Sequence, residues 1–482
     1  MMTTHKLEKL PFYTLLIFIV AGSIGAGYFY TRSFLALSAV LYGVTALYIF
    51  NAKKLTFLPI HGFLLAFILL YWLAVGSAVD QEQAVLEAIK VSLLLPVSLL
   101  FSSLSGKRRD QIWVTWVWSG AGLTLWGLVF GLFREGRLES TLGYANVFAV
   151  IVAAGMAAGW RAFMRSNQKK YVVLCLIQLC GLLLSGSRAV LILVVMGAIA
   201  FVCINRKNKP GLLGGGVLIV LILVIVAGMI MNSGGSVREM TWNASEFELR
   251  RIYWLDAFHL WKEHWLAGIG GGGFAILYPS VYVKYVHQQF LQVALDAGVF
   301  GVLVFFAMIG SALNAARRQG RKGIVVILAL LLFCAHLAFD IDLAYPLVFG
   351  LFIMLLTSME MEGYSSCDRT INKPVRVVML SLGMIIVVIC SWFTAGYIFK
   401  GLGEHATAQQ DWEVGKRWLK KAQVSIPWSS EVHYKQAFLY SSWAQAEQNQ
   451  YFMDKAIEEM RMAAEMVPLS REYSRMLKKV GE

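Results

Sequence analysis

Residues 57–76 read FLPIHGFLLAFILLYWLAVG, a run with no lysine, arginine, aspartate or glutamate. About 20 apolar residues in a helix cross the hydrocarbon core of a bilayer. Backbone amides find no water there, so such a run has to be helical. Comparable runs fall near 11–30, 33–50, 84–104, 112–133, 142–160, 171–186, 189–204, 211–231, 292–315, 323–339, 343–359 and 375–398, which makes thirteen. Those at 171–186 and 189–204 are short. Over the 482 residues, 58% are hydrophobic and 15% charged, with mean hydropathy +0.63. A soluble chain carries about 25% charged residues. A soluble enzyme and a disordered chain are thereby excluded, and nine prolines without a Gly-X-Y period exclude a fibrous protein. The expected fold is an all-α polytopic membrane protein.

Net charge is +14, and its placement decides what it means. One alternate set of connections holds Lys6/Lys9, Lys53/Lys54, Lys107–Arg109, Arg161/Arg165/Lys169/Lys170, Arg206/Lys207/Lys209, Arg317/Arg318/Arg321/Lys322 and Arg369/Lys373/Arg376. These carry 21 Lys and Arg against five acids, whereas the short loops of the other set hold only Arg32, Arg134, Arg137 and Arg188. Positive loops stay in the cytoplasm, which puts the N-terminus inside and, after thirteen crossings, the C-terminus outside. The basic excess is a topology signal, and nucleic acid is not implied. The first run is too long for a signal peptide and lacks an Ala-X-Ala-like exit, so it reads as a retained span. The six cysteines (175, 180, 203, 334, 367 and 390) avoid the expected outside segments and show no disulfide framework or zinc spacing.

The expected organisation is a membrane domain over 1–399 and a soluble helical domain over 400–482. Two outside segments are large enough to carry function: the loop 232–291 and the tail 400–482. The tail has 12 Lys and Arg against 11 acids. Apolar and small residues recur in it at helical spacing (Ala408, Trp412, Gly415, Trp418, Leu419, Ala422), with breaks at Pro427 and Pro468. Paired helices interrupted at such intervals resemble tetratricopeptide repeats, a protein-docking module. A plain helical hairpin is the alternative.

Gly268-Ile-Gly-Gly-Gly-Gly273 matches the dinucleotide fingerprint in form only, since that motif needs a βαβ unit. A tight backbone turn or a close approach to a ligand explains those glycines better. Asp340-Ile-Asp342 has the spacing of a metal-binding Asp-X-Asp, but it lies on the outer side, where nucleotide sugars are scarce. No metal or other cofactor is expected.

The arginines are harder to explain away. Arg188 follows Ser185-Gly-Ser in a hairpin between two apolar runs, with no acidic residue within twenty positions. A cation at the membrane edge without a sequence-local partner is a functional candidate, a headgroup anchor being the alternative. Arg250 and Arg251 sit in Glu248-Leu-Arg-Arg-Ile-Tyr-Trp254, where an ordinary salt bridge with Glu246 or Glu248 competes with function. Guanidinium forks suit a phosphate or diphosphate and stay charged at any working pH. His287, at the entrance to the span 292–315, could accept a proton from a hydroxyl group, or could simply cap the helix. An outward anion clamp beside a base suggests transfer from a phosphate-linked lipid donor onto a hydroxyl.

Five segments in order carry a resemblance. Arg137-Leu-Glu-Ser-Thr-Leu-Gly-Tyr-Ala-Asn146 is similar to R-x-x-G-T-F-G-N-P-N of the O-antigen ligase and polymerase (Wzy_C) superfamily. Ser185-Gly-Ser-Arg188 resembles its T-G-S-R hairpin. Arg251-Ile-Tyr-Trp254 through Leu266-Ala-Gly-Ile-Gly-Gly-Gly-Gly-Phe274 resembles R-x-x-x-W … P-L-x-G-x-G-x-G-x-F. His287 to Gly301, with Asp296 at the place of a glutamate, resembles H-N-x-x-L-x-x-x-x-E-x-G-x-x-G, and His336-Leu-Ala-Phe-Asp340 through Pro346 resembles H-x-x-x-D … P. The likeness spans about 130–360. Tyr144-Ala145 stands where the family has Asn-Pro.

The resemblance implies transfer of a glycan from undecaprenyl diphosphate to a hydroxyl acceptor, on the outer face of the bacterial cytoplasmic membrane and without metal. It implies His287 as the group assisting attack, and Arg188 with Arg251 or Arg250 as the diphosphate clamp, Arg251 being favoured by its spacing to Trp254. Arg137, Asn146, Asp296, His336 and Asp340 are implied as supporting residues. The acceptor is left open among a glycan, a lipid, a protein and a wall polymer. A flippase for lipid-linked glycans, or a scaffold recruiting a protein partner through the tail, are the competing readings.

Overall fold

The computed structural model describes residues 9–52, 54–205, 244–278, 283–364 and 367–481. In chain order these form α1 (Lys9–Ile24), α2 (Thr31–Asn51), β1 (Lys54–Phe57), α3 (Pro59–Ala74), α4 (Gln81–Ser92), α5 (Leu94–Ser102), α6 (Gly106–Val129), β2 (Phe133–Arg134), β3 (Arg137–Leu138), α7 (Ala145–Ser166), α8 (Lys170–Leu184) and α9 (Arg188–Asn205). They continue with α10 (Ala244–Glu263), α11 (Gly273–Leu277), α12 (Gln289–Arg317), α13 (Arg321–Leu337), α14 (Pro346–Gly363), β4 (Cys367–Thr370), α15 (Lys373–Ala408), α16 (Trp412–Ser425), α17 (Ser430–Glu447), α18 (Gln450–Met466) and α19 (Arg471–Gly481). The only strands among the described residues are two short antiparallel pairs, β1 with β4 and β2 with β3. The chain is an all-α polytopic membrane protein.

Eight helical stretches among the described residues, with α4 and α5 taken together as one, are long and apolar enough to cross a bilayer. Shorter apolar helices over Lys9–Ile24, Lys170–Leu184, Arg188–Cys203 and Val326–Leu337 lie on four more of the expected spans. The expected span 211–231, and residues 232–243 of the loop after it, lie outside the described residues.

Two expected spans take a different form. The run 84–104 is two helices, α4 and α5, joined at Leu93. Pro96 has no N–H to offer the Ser92 carbonyl, and Tyr42 donates to that carbonyl instead, at 2.8 Å. A helix break inside a membrane is tolerated when a neighbour satisfies the freed group in this way. The last span does not stop near 398: α15 runs unbroken to Ala408, so the expected domain boundary at 399/400 falls within a helix.

Aromatic rings tie the bundle together. Phe67 of α3 lies 5.7 Å from Phe305 of α12, which lies 5.9 Å from Phe352 of α14, and Phe333 of α13 closes on Phe352 at 5.3 Å. Such offset pairs add roughly 0.5–1.5 kcal/mol each beyond their buried area. By contrast, Val378, Leu382, Ile385, Val388 and Trp392 of α15 are exposed, which only lipid makes favourable.

Connections of the basic set meet one another. β1 pairs with β4, Arg165 bonds Asp110 at 2.5 Å, and Arg376 donates to the Phe50 carbonyl at 3.1 Å. Connections of the other set do the same: Thr141 donates to the Ser23 carbonyl, and Val79 N–H to Ile269 O at 3.0 Å.

After Ala408 the chain doubles back. α16 packs along the end of α15, with Leu419 against Gly403 and Trp418 stacked on Phe399 at 5.5 Å. Asp411, Ser429 and Asn449 cap α16, α17 and α18 by accepting from backbone N–H groups. The tail is fastened to the membrane body. The buried Glu82 carboxylate at the start of α4 accepts from Tyr397 OH of α15 and Ser429 Oγ of the tail, both at 2.7 Å, and Lys400 pairs with Glu431 at 2.6 Å.

Candidate active site

The loop before α12 has a small apolar core of its own, built from Ala257, Ile269, Phe274, Tyr278, Val286 and Leu295 with Trp254 against it. Its glycines work as close-approach points. Gly268 (φ +76°) lies against the backbone of Leu295 and Gly298, and Gly298 (φ +67°) against the carbonyl of Leu266. Ile269 N–H donates to Leu295 O at 2.6 Å and Val299 N–H to Trp265 O at 2.9 Å. Any Cβ at either glycine would collide with backbone. The two glycine-bearing segments thus interlock, and the lock kinks α12 at Gly298 and fixes its first turns.

His287 immediately precedes the N-cap Gln288 of α12, with a left-handed backbone (φ +55°). Trp254 Nε1 donates to its carbonyl at 3.3 Å, so the tryptophan of α10 holds the histidine's backbone. The ring is about a quarter exposed, and its Nδ1 lies 3.4 Å from Oδ1 of Asp340, which is 1% exposed.

Asp340, in the turn between α13 and α14, is the hub. Tyr144 OH donates to Oδ1 at 2.7 Å, Ile341 N–H to Oδ1 at 2.9 Å and Asn146 Nδ2 to Oδ2 at 2.5 Å. Arg250 of α10 brings Nη2 to 3.9 Å from Oδ2 and donates through Nη1 to the Phe339 carbonyl. Burial alone would raise the Asp340 carboxyl. The His287 contact and the charge of Arg250 outweigh it and hold the group well below the usual carboxylate range. A carboxylate can only accept, so the His287 proton belongs on Nδ1 and the Nε2 lone pair is left for other chemistry.

Arg137 of β3 extends the network. It donates through Nη2 to Asn146 Oδ1 at 2.6 Å and through Nε to the Ser185 carbonyl at 2.8 Å. Ser185 opens the turn that ends at Arg188, the half-buried first residue of α9. One chain of bonds therefore links the Arg188 turn to Arg137, Asn146, Asp340 and His287.

The remaining expected residues lie elsewhere. Arg251 points away from the hub and pairs with Glu248 at 2.9 Å, both more than half exposed, while its neighbour Arg250 faces inward. His336 bonds Asp342 at 2.5 Å in a buried pair of its own. The two aspartates of Asp340-Ile-Asp342 thus serve different partners. Asp296 is buried behind the loop, bonded to Gln292 and Tyr71. Tyr144 was legible only as a departure from the family pattern. In the fold it supplies a hydroxyl donor to Asp340.

No curated protein matches the chain. Residues 171–306, which hold Arg188, Arg250, His287 and Asp296, match the Wzy_C family model, described as O-antigen ligase.

Proposed function

We propose that the protein transfers a glycan from undecaprenyl diphosphate to a hydroxyl acceptor on the outer face of the cytoplasmic membrane, in cell-surface polysaccharide assembly. The observation that carries this reading is the convergence of His287, Arg250 and Asp340, joined through Asn146 and Arg137 to the turn before Arg188. Arg188 and Arg250 stabilise the diphosphate as negative charge develops on it. His287 Nε2 takes the acceptor proton as the hydroxyl attacks the anomeric carbon, and Asp340 holds the imidazole in the tautomer this requires. Charge on the leaving group is met by guanidinium groups, so the scheme assigns no role to a metal.

Incubating the purified protein in vesicles with a labelled polyprenyl-diphosphate glycan and an acceptor tests the proposal. Label covalently attached to the acceptor supports it. Translocation without transfer would make the protein a flippase, and neither outcome would leave a scaffold.

Two predictions follow from the placements. Arg250→Ala should weaken donor binding by roughly tenfold, because it removes a partly desolvated cation. Arg251→Ala should change it by less than about threefold, since an exposed ion pair contributes little. Donor affinities of the two variants decide between the neighbours. For topology, we place 400–482 and the loop 232–291 outside, because the opposite connections hold the lysines and arginines. A reporter active only outside should be active when fused after Glu482 and silent when inserted near Asn167.

A further inference from the structure

We infer that Gln292 is a positioning residue for His287: its side-chain amide, oriented by Asp296, fixes the turn that carries the imidazole. The inference rests on the role proposed above for His287. A non-glycine residue in the left-handed region costs about 1–2 kcal/mol and persists only where its surroundings over-determine it. At His287 the hold from the C-terminal side is the Trp254 bond to its carbonyl. The hold from the N-terminal side is Gln292, whose Oε1 accepts from the N–H of Val286 at 3.0 Å.

The chemistry of this position is narrow. Gln292 has to accept from a backbone N–H with one end of its side chain. With the other it has to donate to Asp296, and Nε2 does so to Oδ1 at 2.9 Å. Tyr71 OH donates to the second Asp296 oxygen at 3.4 Å, so the carboxylate is anchored on α3. Only a group with a donor and an acceptor at fixed separation bridges the two. A carboxylate in place of the amide would set two acceptors against each other, and an aliphatic chain would leave both the Val286 N–H and Asp296 wanting. Gln292 and Asp296 are each 5% exposed and Val286 is fully buried, so bulk water does not substitute. A cavity of about 20 Å³ beside them, lined in part by Glu87, Lys90, Tyr285 and Gln289, has room for about one water. Truncating Gln292 would enlarge that space and release the turn, and thermal unfolding of the variant separates loss of the constraint from loss of the fold.

The test is an exchange of chemistry across the pair, measured on the full-length protein in vesicles by the transfer assay. Gln292→Ala should lower kcat by about tenfold or more, as a small misplacement of a reacting group does, and leave donor KM within about twofold. Gln292→Glu should be at least as impaired. Combining Gln292→Glu with Asp296→Asn moves the donor to the other side of the bond: the introduced carboxylate accepts from Val286, and the introduced amide donates to it and accepts from Tyr71. The double variant should recover to within about threefold of the parent. Parental kcat in Gln292→Ala would overturn the inference, as would a double variant no better than Gln292→Glu. So would losses that simply track the fraction of protein unfolded on heating. His287→Ala in the same assay separates the two layers. If it too turns over like the parent, the role of His287 has failed. If it is crippled while the Gln292 variants are not, only the positioning inference has.

Discussion

Replacing His287 by alanine should lower transfer by about 10²–10⁴-fold, the range of general-base assistance, while donor affinity stays near that of the parent. The acceptor hydroxyl loses its proton only as the new bond forms, and Nε2 is the lone pair that the Asp340 contact leaves available. Asp340→Asn probes the same step from behind. An amide can turn its NH₂ toward Nδ1, which moves the imidazole proton to Nε2 and removes the base, as loss of an orienting carboxylate does in other histidine-assisted transfers. The asparagine variant should fall to a similar level, and the double variant should be little worse than either single one, because one function is removed twice. Initial rates at saturating acceptor, with donor affinity measured separately, check all three. An alanine variant with parental rates would remove His287 from the chemistry.

Arg188→Ala should cost roughly 2–4 kcal/mol of donor and transition-state binding, the loss expected when one charge-assisted anion contact disappears from a water-poor site. Arg188→Lys keeps the charge without the planar fork and should fall between the alanine variant and the parent. Arg188 heads α9, and the turn before it is tied to Arg137 through the Ser185 carbonyl, so the guanidinium is presented from a fixed base. Rates at limiting donor report the loss. Parental turnover in both variants would make Arg188 a headgroup anchor.

The membrane architecture was legible because apolar run length is a direct readout of bilayer thickness. What the runs could not show was local. The α4–α5 break depends on Tyr42 reaching a carbonyl fifty residues away. The continuation of α15 to Ala408 goes with the packing of α16 along its end, through Leu419 on Gly403 and Trp418 on Phe399. His287, Asn146 and Asp340 were each legible as motif residues, but their convergence joins segments as much as 194 residues apart. Motif spacing to Trp254 favours Arg251, yet it is Arg250 that faces Asp340, because successive residues on a helix differ by about 100° in direction. Only the packing of α10 on α12 decides which one faces Asp340. The glycine run suggests a tight turn or a close approach to a ligand, yet Gly268 lies against the backbone of Leu295 and Gly298, which belong to a different motif. Neither motif reveals the other's backbone.

The Glu82 contact also bears on when the molecule becomes finished. During synthesis Glu82 leaves the ribosome 315 residues ahead of Tyr397 and 347 ahead of Ser429, the two donors that satisfy its buried oxygen. Throughout that interval the segment 78–87, against which the glycine turn of the candidate site rests, holds a carboxylate without its native partners. Leaving such a group buried and unpaired costs at least about 1–3 kcal/mol. A chain cut between α16 and α17 would retain every helix of the membrane body and the Tyr397 donor, and would lose the Ser429 donor and the Lys400–Glu431 pair. The Ser429 bond to Glu82 therefore forms only once residue 429 has been made, and the tail closes a contact that the membrane body opens.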